Sequence, residues 1–144
     1  MADQPARGYA IDELNVGMSA TYERVVTVAD IEAFAAVSGD HNPVHLDDDY
    51  AKTTRFKGRI AHGMLGASFI STAIASKLPG PGSIYLAQSL SFKAPVRPGD
   101  KVAAVITVAE IVRDKGRVVL KTQCRVGETV VIDGEATVLV PPKS

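Results

Sequence analysis

MLGASFISTAIASKL, residues 64–78, sets the architecture that the rest of the chain must fit. Its polar positions before Lys77 are all small Ser and Thr residues, so apolar or small groups surround most of the helix circumference. A helix with that pattern is buried on nearly all sides. The following Pro79-Gly80-Pro81-Gly82 cannot continue it. The sequence therefore predicts a buried helix over residues 64–78 at the centre of the fold.

Segments of β-strand character lie on both sides of this helix in the sequence. In the clearest one, Val118, Leu120 and Cys124 fall on one face and Lys121 and Gln123 on the other. The predicted strands are 19–27, 84–94, 102–112, 118–126 and 130–140. The links between the later strands are short turns, which favour antiparallel neighbours. The pattern predicts an α+β fold, in which a curved antiparallel sheet of about five strands wraps around the central helix.

A second, shorter helix is predicted to begin after Thr27. Thr27 and Asp30 have the spacing of a capping box, with Asp in the place that Glu usually takes. Ile31 and Phe34 follow at helical spacing, and the helix is expected to end near Ser38-Gly39.

The length of 144 residues suits one domain, which we assign to residues 1–144. Residues 1–12 carry no clear period and are expected to form an arm on the surface. Residues 39–61 are polar and irregular, with a possible turn of helix at 47–54. Because so long a connection in a compact domain is usually functional, we expect residues 39–61 to be a loop that overhangs the active site.

Composition excludes several classes of protein. Sixteen basic and sixteen acidic residues leave no net charge, which argues against a protein built to hold duplex DNA. Cys124 is the single cysteine, so an internal disulfide and sites with several thiolates are excluded. The N-terminus lacks a secretory signal, and no stretch approaches the ~18 apolar residues of a membrane span. We expect a cytoplasmic protein without nucleic-acid or membrane partners.

The titratable residues concentrate in one region, SGDHNPVH at residues 38–45, followed by His62-Gly63. All three histidines lie between positions 41 and 62. A purely structural interpretation is available, because Gly, Asp, Asn and Pro are turn-forming residues. A metal site formed by Asp40, His41, His45 and Asp47 is conceivable from residue type. Their spacing matches no common zinc or iron motif, and we predict no metal.

FAAVSGDHNPVH, residues 34–45, with Ala51 shortly after, resembles the signature of the MaoC-like (R)-specific enoyl-CoA hydratases, also called hydratase 2. AHGML at 61–65 and GSIYLAQSLSFK at 82–93 are similar to the family's single-domain bacterial members, which supply (R)-3-hydroxyacyl-CoA for polyhydroxyalkanoate synthesis. The resemblance covers roughly residues 19–140.

The resemblance implies a hot-dog fold, a homodimer and an acyl-CoA thioester substrate. It implies no cofactor, since coenzyme A is part of the substrate. It also implies that Asp40 and His45 form the catalytic pair, that Asn42 assists them, and that the backbone N–H of Gly63 binds the thioester oxygen. The unpaired edges of the predicted sheet independently favour at least a dimer.

The reaction requires this combination of groups. Hydration of a trans-2-enoyl thioester needs a base that deprotonates water at C3 and an acid that protonates C2. We interpret His45 as the base and Asp40 as the acid; the reverse assignment stays open, because a coupled pair shares its protons. Gly63 at a helix start suits an oxyanion donor, but it also suits tight helix packing. His41 and His62 are interpreted as hydrogen-bonded structural residues.

A group of basic residues lies near these positions and includes Lys52, Arg55, Lys57, Arg59 and Lys93. They are candidates for binding the phosphates of coenzyme A, although a charge run is more often a solvated face. Apolar candidates for an acyl tunnel are Met64, Leu65, Leu86 and Phe92, each of which also fits a plain core position.

Three other functions remain open at this stage. A dehydratase acting on acyl-carrier-protein thioesters would use the same pair in the reverse direction. A hot-dog thioesterase would need a carboxylate placed at the thioester carbonyl, which nothing in the sequence identifies. A non-catalytic acyl-CoA-binding module would require neither Asp40 nor His45.

Overall fold

The structure is a computed structural model that describes residues 7–142. The helices are α1 (Val28–Ser38), α2 (Pro43–Leu46), α3 (Asp48–Lys52) and α4 (Gly63–Ser76). The strands are β1 (Ser19–Val25), β2 (Ile84–Phe92), β3 (Lys101–Val112), β4 (Arg117–Val126) and β5 (Thr129–Leu139). Short 3-10 helices occupy Ile11–Glu13 and Arg113–Lys115. Within residues 7–142, no helix has the length and apolar character needed to span a bilayer.

The five strands form one sheet in the order β1-β3-β4-β5-β2, with every neighbouring pair antiparallel. Strands β1 and β2 are its edges. The five predicted strands are confirmed, and their ends lie within two residues of the expected positions. The predicted α+β architecture with a central helix is also confirmed, and it is the hot-dog arrangement that the resemblance implied.

Helix α4 packs against β1, β3, β4 and β5 and forms the centre of the core. Alternate strand residues meet it because successive side chains of a strand point to opposite faces. The inward side chains of β3 and β4 are Val102, Ala104, Ile106 and Val108 from β3, and Val118, Leu120, Thr122 and Cys124 from β4. A Cβ on Gly66 would lie 2.9 Å from the Ile132 side chain, so the missing side chain of Gly66 allows helix and sheet to approach.

The predicted capping box of α1 is confirmed. The Thr27 hydroxyl accepts a hydrogen bond from the Asp30 backbone N–H at 3.1 Å, and the Asp30 carboxylate accepts one from the Thr27 N–H at 3.2 Å. The helix ends at Gly39, whose φ of 83° places it in the left-handed region that glycine adopts readily. This end sets the direction in which the chain enters residues 39–61.

Two predicted irregular regions differ from expectation. In the described part of the predicted surface arm, Ala10 and Ile11 are buried in the core instead. Burial removes their apolar surface from water, which lowers the free energy of the folded state. Residues 1–6 of that arm lie outside the described residues. Residues 39–61 contain α2 and α3. Helix α3 lies where the turn at 47–54 was predicted, whereas α2 was not predicted.

Edge strand β2 exposes apolar side chains on the single chain. Ile84, Leu86 and Phe92 are 54%, 44% and 53% exposed, respectively. Strict alternation from Ile84 to Phe92 would place them on one face, but a register shift between Tyr85 and Ala87 places them on opposite faces, since Ile84 pairs with Leu139 and Phe92 pairs with Ile132.

Candidate active site

Local hydrogen bonds fix the loop that carries the predicted pair. The Asp40 backbone N–H donates to the Ser38 hydroxyl at 3.1 Å, and the Asp40 carboxylate accepts from the Asn42 N–H at 3.1 Å. The Asn42 side chain in turn caps α2 by accepting from the Val44 N–H at 3.1 Å. With Pro43 at the first helical position, this cap starts the helix that carries His45.

His45 is buried, with 9% of its surface exposed. Its Nδ1 lies 2.8 Å from the Ile60 carbonyl oxygen. Because a carbonyl can only accept, Nδ1 carries the proton and Nε2 keeps a free lone pair when the ring is neutral. Burial lowers the pKa of His45, and the nearby His62 also lowers it, whereas the Ile60 hydrogen bond and Asp40 act in the opposite direction. The arrangement therefore presents His45 as a neutral base through Nε2.

His62 lies directly against this pair. Its Nε2 donates to the backbone carbonyl of Asp40 at 3.0 Å, which fixes its tautomer in the same way. Its ring stacks on His45 with a centroid separation of 3.9 Å and an interplanar angle of 29°. Phe34 lies on it with a centroid separation of 4.9 Å. The hydrogen bond to the Asp40 carbonyl confirms the prediction that His62 is hydrogen-bonded. No periodic pattern in the sequence indicated that His62 would contact His45.

The side chains of Asp40, His45 and His62 converge. One carboxylate oxygen or ring nitrogen from each lies within 4.8 Å of the others. Two polar atoms at such a separation can bind the same water molecule. The set considered for a metal from the sequence differs from this group, because Asp47 caps α3 and the His41 ring nitrogen lies 3.2 Å from the Gly39 carbonyl. The structure thus brings the predicted pair together and adds His62 to it.

Gly63 is exposed and is the first residue of α4. The first N–H groups of a helix have no partner within the helix, and the helix dipole favours negative charge there. A Cβ on Gly63 would lie 2.7 Å from the Phe92 ring. Packing against Phe92 of β2 therefore favours glycine at this position, and the oxyanion role of its N–H stays a prediction.

A cavity of about 500 Å³ begins at this helix end. Its wall is mostly apolar and consists of Arg55, Phe56, Ile60, Ala61, His62, Gly63, Met64, Gly66, Phe92, Lys93, Ala94, Pro95, Val96 and Ile132. Neither Asp40 nor His45 belongs to the described wall, which the group reaches through His62. Of the tunnel candidates, Met64 and Phe92 line the cavity, whereas Leu65 is a core residue and Leu86 is exposed on β2.

The five predicted phosphate-binding residues differ in whether they line this cavity. Arg55 and Lys93 line the cavity. Arg59 instead forms an ion pair with Asp48 at 2.9 Å, which joins the loop to α3. Lys52 and Lys57 are exposed and lie outside the cavity wall. The geometry therefore concentrates positive charge at the cavity in Arg55 and Lys93.

Known proteins resemble this chain over nearly its whole length. The MaoC-like domain family matches residues 13–131. An (R)-specific enoyl-CoA hydratase of Rhodospirillum rubrum is 52% identical over 132 residues, which cover 92% of each chain. Unliganded R-hydratase PhaJ1 from Pseudomonas aeruginosa superposes with a TM-score of 0.90 at 47% identity, covering 94% of this chain and 88% of that one. The (R)-hydratase of Aeromonas caviae, described as involved in polyhydroxyalkanoate biosynthesis, gives a TM-score of 0.86 at 46% identity, covering 89% of this chain and 98% of that one.

Proposed function

Because the chain belongs to the MaoC-like domain family, we propose that it catalyses the reversible syn hydration of trans-2-enoyl-CoA to (R)-3-hydroxyacyl-CoA. The observation that carries this proposal is the convergence of Asp40 and His45, with the Nε2 lone pair of His45 free. Binding alone needs neither group. A carboxylate and a neutral imidazole that share one water suit proton transfer to and from the substrate.

In the proposed mechanism His45 accepts a proton from water through Nε2 while the water oxygen bonds to C3. That proton passes from His45 to Asp40, which delivers it to C2, and the C2=C3 double bond becomes a single bond. One proton enters the pair and one leaves it, so the pair regains its starting state by passing a proton between its two members. Negative charge that develops on the thioester oxygen is stabilised by the N–H of Gly63 at the start of α4.

Asn42 assists by holding the loop in shape. Its side chain caps the helix that carries His45, and its backbone N–H fixes the carboxylate of Asp40. Loss of either bond would let the two members of the pair move independently. The proposed reaction needs no cofactor, because water adds directly to a double bond that the thioester already activates.

The cavity beside His62 and Gly63 is the proposed site of the substrate. Its apolar wall suits an acyl chain, and Arg55 and Lys93 suit the phosphates of coenzyme A. Lys52 and Lys57 stay predictions from the sequence. Arg59 is not assigned to phosphate, because its guanidinium is held by Asp48.

We also propose that the protein is a homodimer whose two copies meet along β2. The support is that this edge strand exposes three large apolar side chains, Ile84, Leu86 and Phe92. The other edge strand, β1, carries Glu23 and Arg24, which pair with Lys101 and Asp30. A role in supplying (R)-3-hydroxyacyl-CoA for polyhydroxyalkanoate, and a cytoplasmic location, remain proposals that rest on the resemblance and the sequence.

The test follows loss of the conjugated absorbance of crotonyl-CoA. We expect wild-type protein to consume it, and Asp40→Asn and His45→Gln to be slower by at least about 100-fold. Asp49→Asn and His41→Gln are matched controls, because these side chains are exposed and lie outside the group. Chiral analysis should find the (R) product.

Two outcomes would favour another function. A crotonyl thioester of acyl carrier protein consumed much faster than crotonyl-CoA would favour the carrier-protein dehydratase. Tight binding of acyl-CoA without turnover by the wild-type protein would favour a binding module and contradict the proposal.

A further inference from the structure

His62 is buried in a way that packing alone does not explain. Its exposure is 3%, and among the described residues its Nδ1 has no hydrogen-bond partner. An unpaired buried polar atom costs free energy, whereas a phenyl ring would fill the same space without that cost. The position therefore gains something from the other ring nitrogen that a hydrocarbon could not supply.

That second nitrogen connects two distant parts of the chain. Nε2 of His62 donates to the carbonyl of Asp40, 22 positions earlier in the sequence. Two residues close to His62 in the sequence, Ile60 and Gly63, also belong to the site. Ile60 accepts the hydrogen bond from His45, and Gly63 is the first residue of α4. Residues 60–63 thus contact both members of the pair and carry the proposed oxyanion donor.

The faces of the His62 ring are also occupied. His45 stacks on it at 3.9 Å, and Phe34 of α1 lies on it at 4.9 Å. The His45 ring is consequently held by a hydrogen bond at its edge and by His62 at its face. These contacts restrict both the position and the rotation of the His45 imidazole.

We infer that His62 is a positioning residue for the hydration, which holds the Asp40 peptide through its Nε2–H and the His45 ring through stacking, so that the pair stays aligned with the Gly63 N–H. This inference rests on the proposed function. Misplacement of a reacting group by about 1 Å can reduce a rate by about 100-fold. Substitution of His62 is expected to lower kcat rather than raise KM, because the contacts of His62 align Asp40 and His45 and do not bind the substrate.

The test compares two substitutions that separate shape from hydrogen bonding. His62→Phe keeps a ring against Phe34 and His45 but removes the donor to Asp40. His62→Gln removes the ring but keeps an N–H donor near the position of Nε2. With crotonyl-CoA we expect kcat to fall at least about tenfold for His62→Phe, with KM within about threefold of wild type. His62→Gln should retain several times the kcat of His62→Phe, and both variants should unfold cooperatively.

A measurement on the unchanged protein gives independent evidence. Nitrogen-15 NMR of the histidine rings should show a proton on Nε2 of His62, engaged in the hydrogen bond to the Asp40 carbonyl. An Nε2 without a proton would contradict the inference.

Either of two kinetic results would overturn it. These are a His62→Phe enzyme with wild-type kcat, or a loss confined to KM in that variant. Activity removed by a chelator and restored by zinc would instead make His62 a metal ligand. If wild-type protein fails to hydrate crotonyl-CoA, the proposed function itself fails. Wild-type activity that His62→Phe preserves defeats only the inference.

Discussion

At the scale of single residues, burial has more influence on His45 than its charged neighbour does. Desolvation is the largest effect on its pKa and lowers it, whereas Asp40 has a smaller effect in the opposite direction. The Ile60 carbonyl fixes the proton on Nδ1. His45 is therefore neutral near pH 7, with its lone pair available as a base.

We expect kcat/KM for crotonyl-CoA to fall as pH decreases through a midpoint below about 6.5, the ordinary pKa of histidine. Protonation of Nε2 removes the base, so activity is complete above the midpoint and lost below it. Initial rates between about pH 5 and about pH 8 check this expectation. His41→Gln, in the same loop, should show the same curve. A midpoint above the ordinary value would mean that the Ile60 hydrogen bond and Asp40 together outweigh burial.

Gly63 provides a second prediction at this scale. In Gly63→Ala the new Cβ would lie 2.7 Å from the Phe92 ring, so the ring or the start of α4 must shift. We expect kcat to fall by at least about tenfold, because the N–H at position 63 moves with the helix. Gly58→Ala is the matched control, since its Cβ would meet only the Arg97 side chain at 3.4 Å. Equal activity in the two variants would remove the oxyanion role from this helix start.

At the scale of elements, local rules predicted most of what the structure contains. Thr27 and Asp30 located the start of α1 because a cap is formed by residues close in sequence. The alternation of apolar and polar residues located the strands, because this pattern is also formed by residues close in sequence. Helix α2 was missed, although Asn42 as cap and Pro43 as first helical residue are its signals. In a stretch rich in turn-forming residues, four helical residues do not show a period.

The cap of α1 allows a test of stability that is separate from activity. Thr27→Ala removes the hydroxyl that accepts from the Asp30 N–H, and we expect a loss of about 1 kcal/mol in the free energy of unfolding. Tm should fall by about 3 °C in thermal denaturation. Ser76→Ala, at an exposed site in the last turn of α4, should leave Tm unchanged. An unchanged Tm in Thr27→Ala would show that the cap does not limit stability.

At the scale of the whole molecule, the site depends on contacts that no local pattern contains. Asp40 and His45 lie in one motif, so the sequence could pair them. His62 joins them only because α4 starts where β2 and the loop meet. Similarly, strict alternation places Ile84 and Phe92 on one face of β2, but the register shift between Tyr85 and Ala87, which no local pattern shows, places them on opposite faces.

The exposed apolar side chains of β2 predict the oligomeric state. We expect the protein to sediment with twice the mass of its 15.2 kDa chain. Leu86→Asp should shift it toward the monomer, because a charge would be buried without a partner between the two copies. Val37→Asp replaces an apolar residue of α1 that is 84% exposed, and it should leave the dimer intact. A wild-type monomer, or dissociation by both substitutions alike, would contradict an interface along β2.

The most direct measurement combines Asp40→Asn and His45→Gln in one protein and compares its kcat for crotonyl-CoA with those of the two single variants. Groups that act on one water as a unit lose their effect together, so the double variant should be about as slow as the slower single variant. If the two losses multiply instead, Asp40 and His45 act independently, and the shared-water account is wrong.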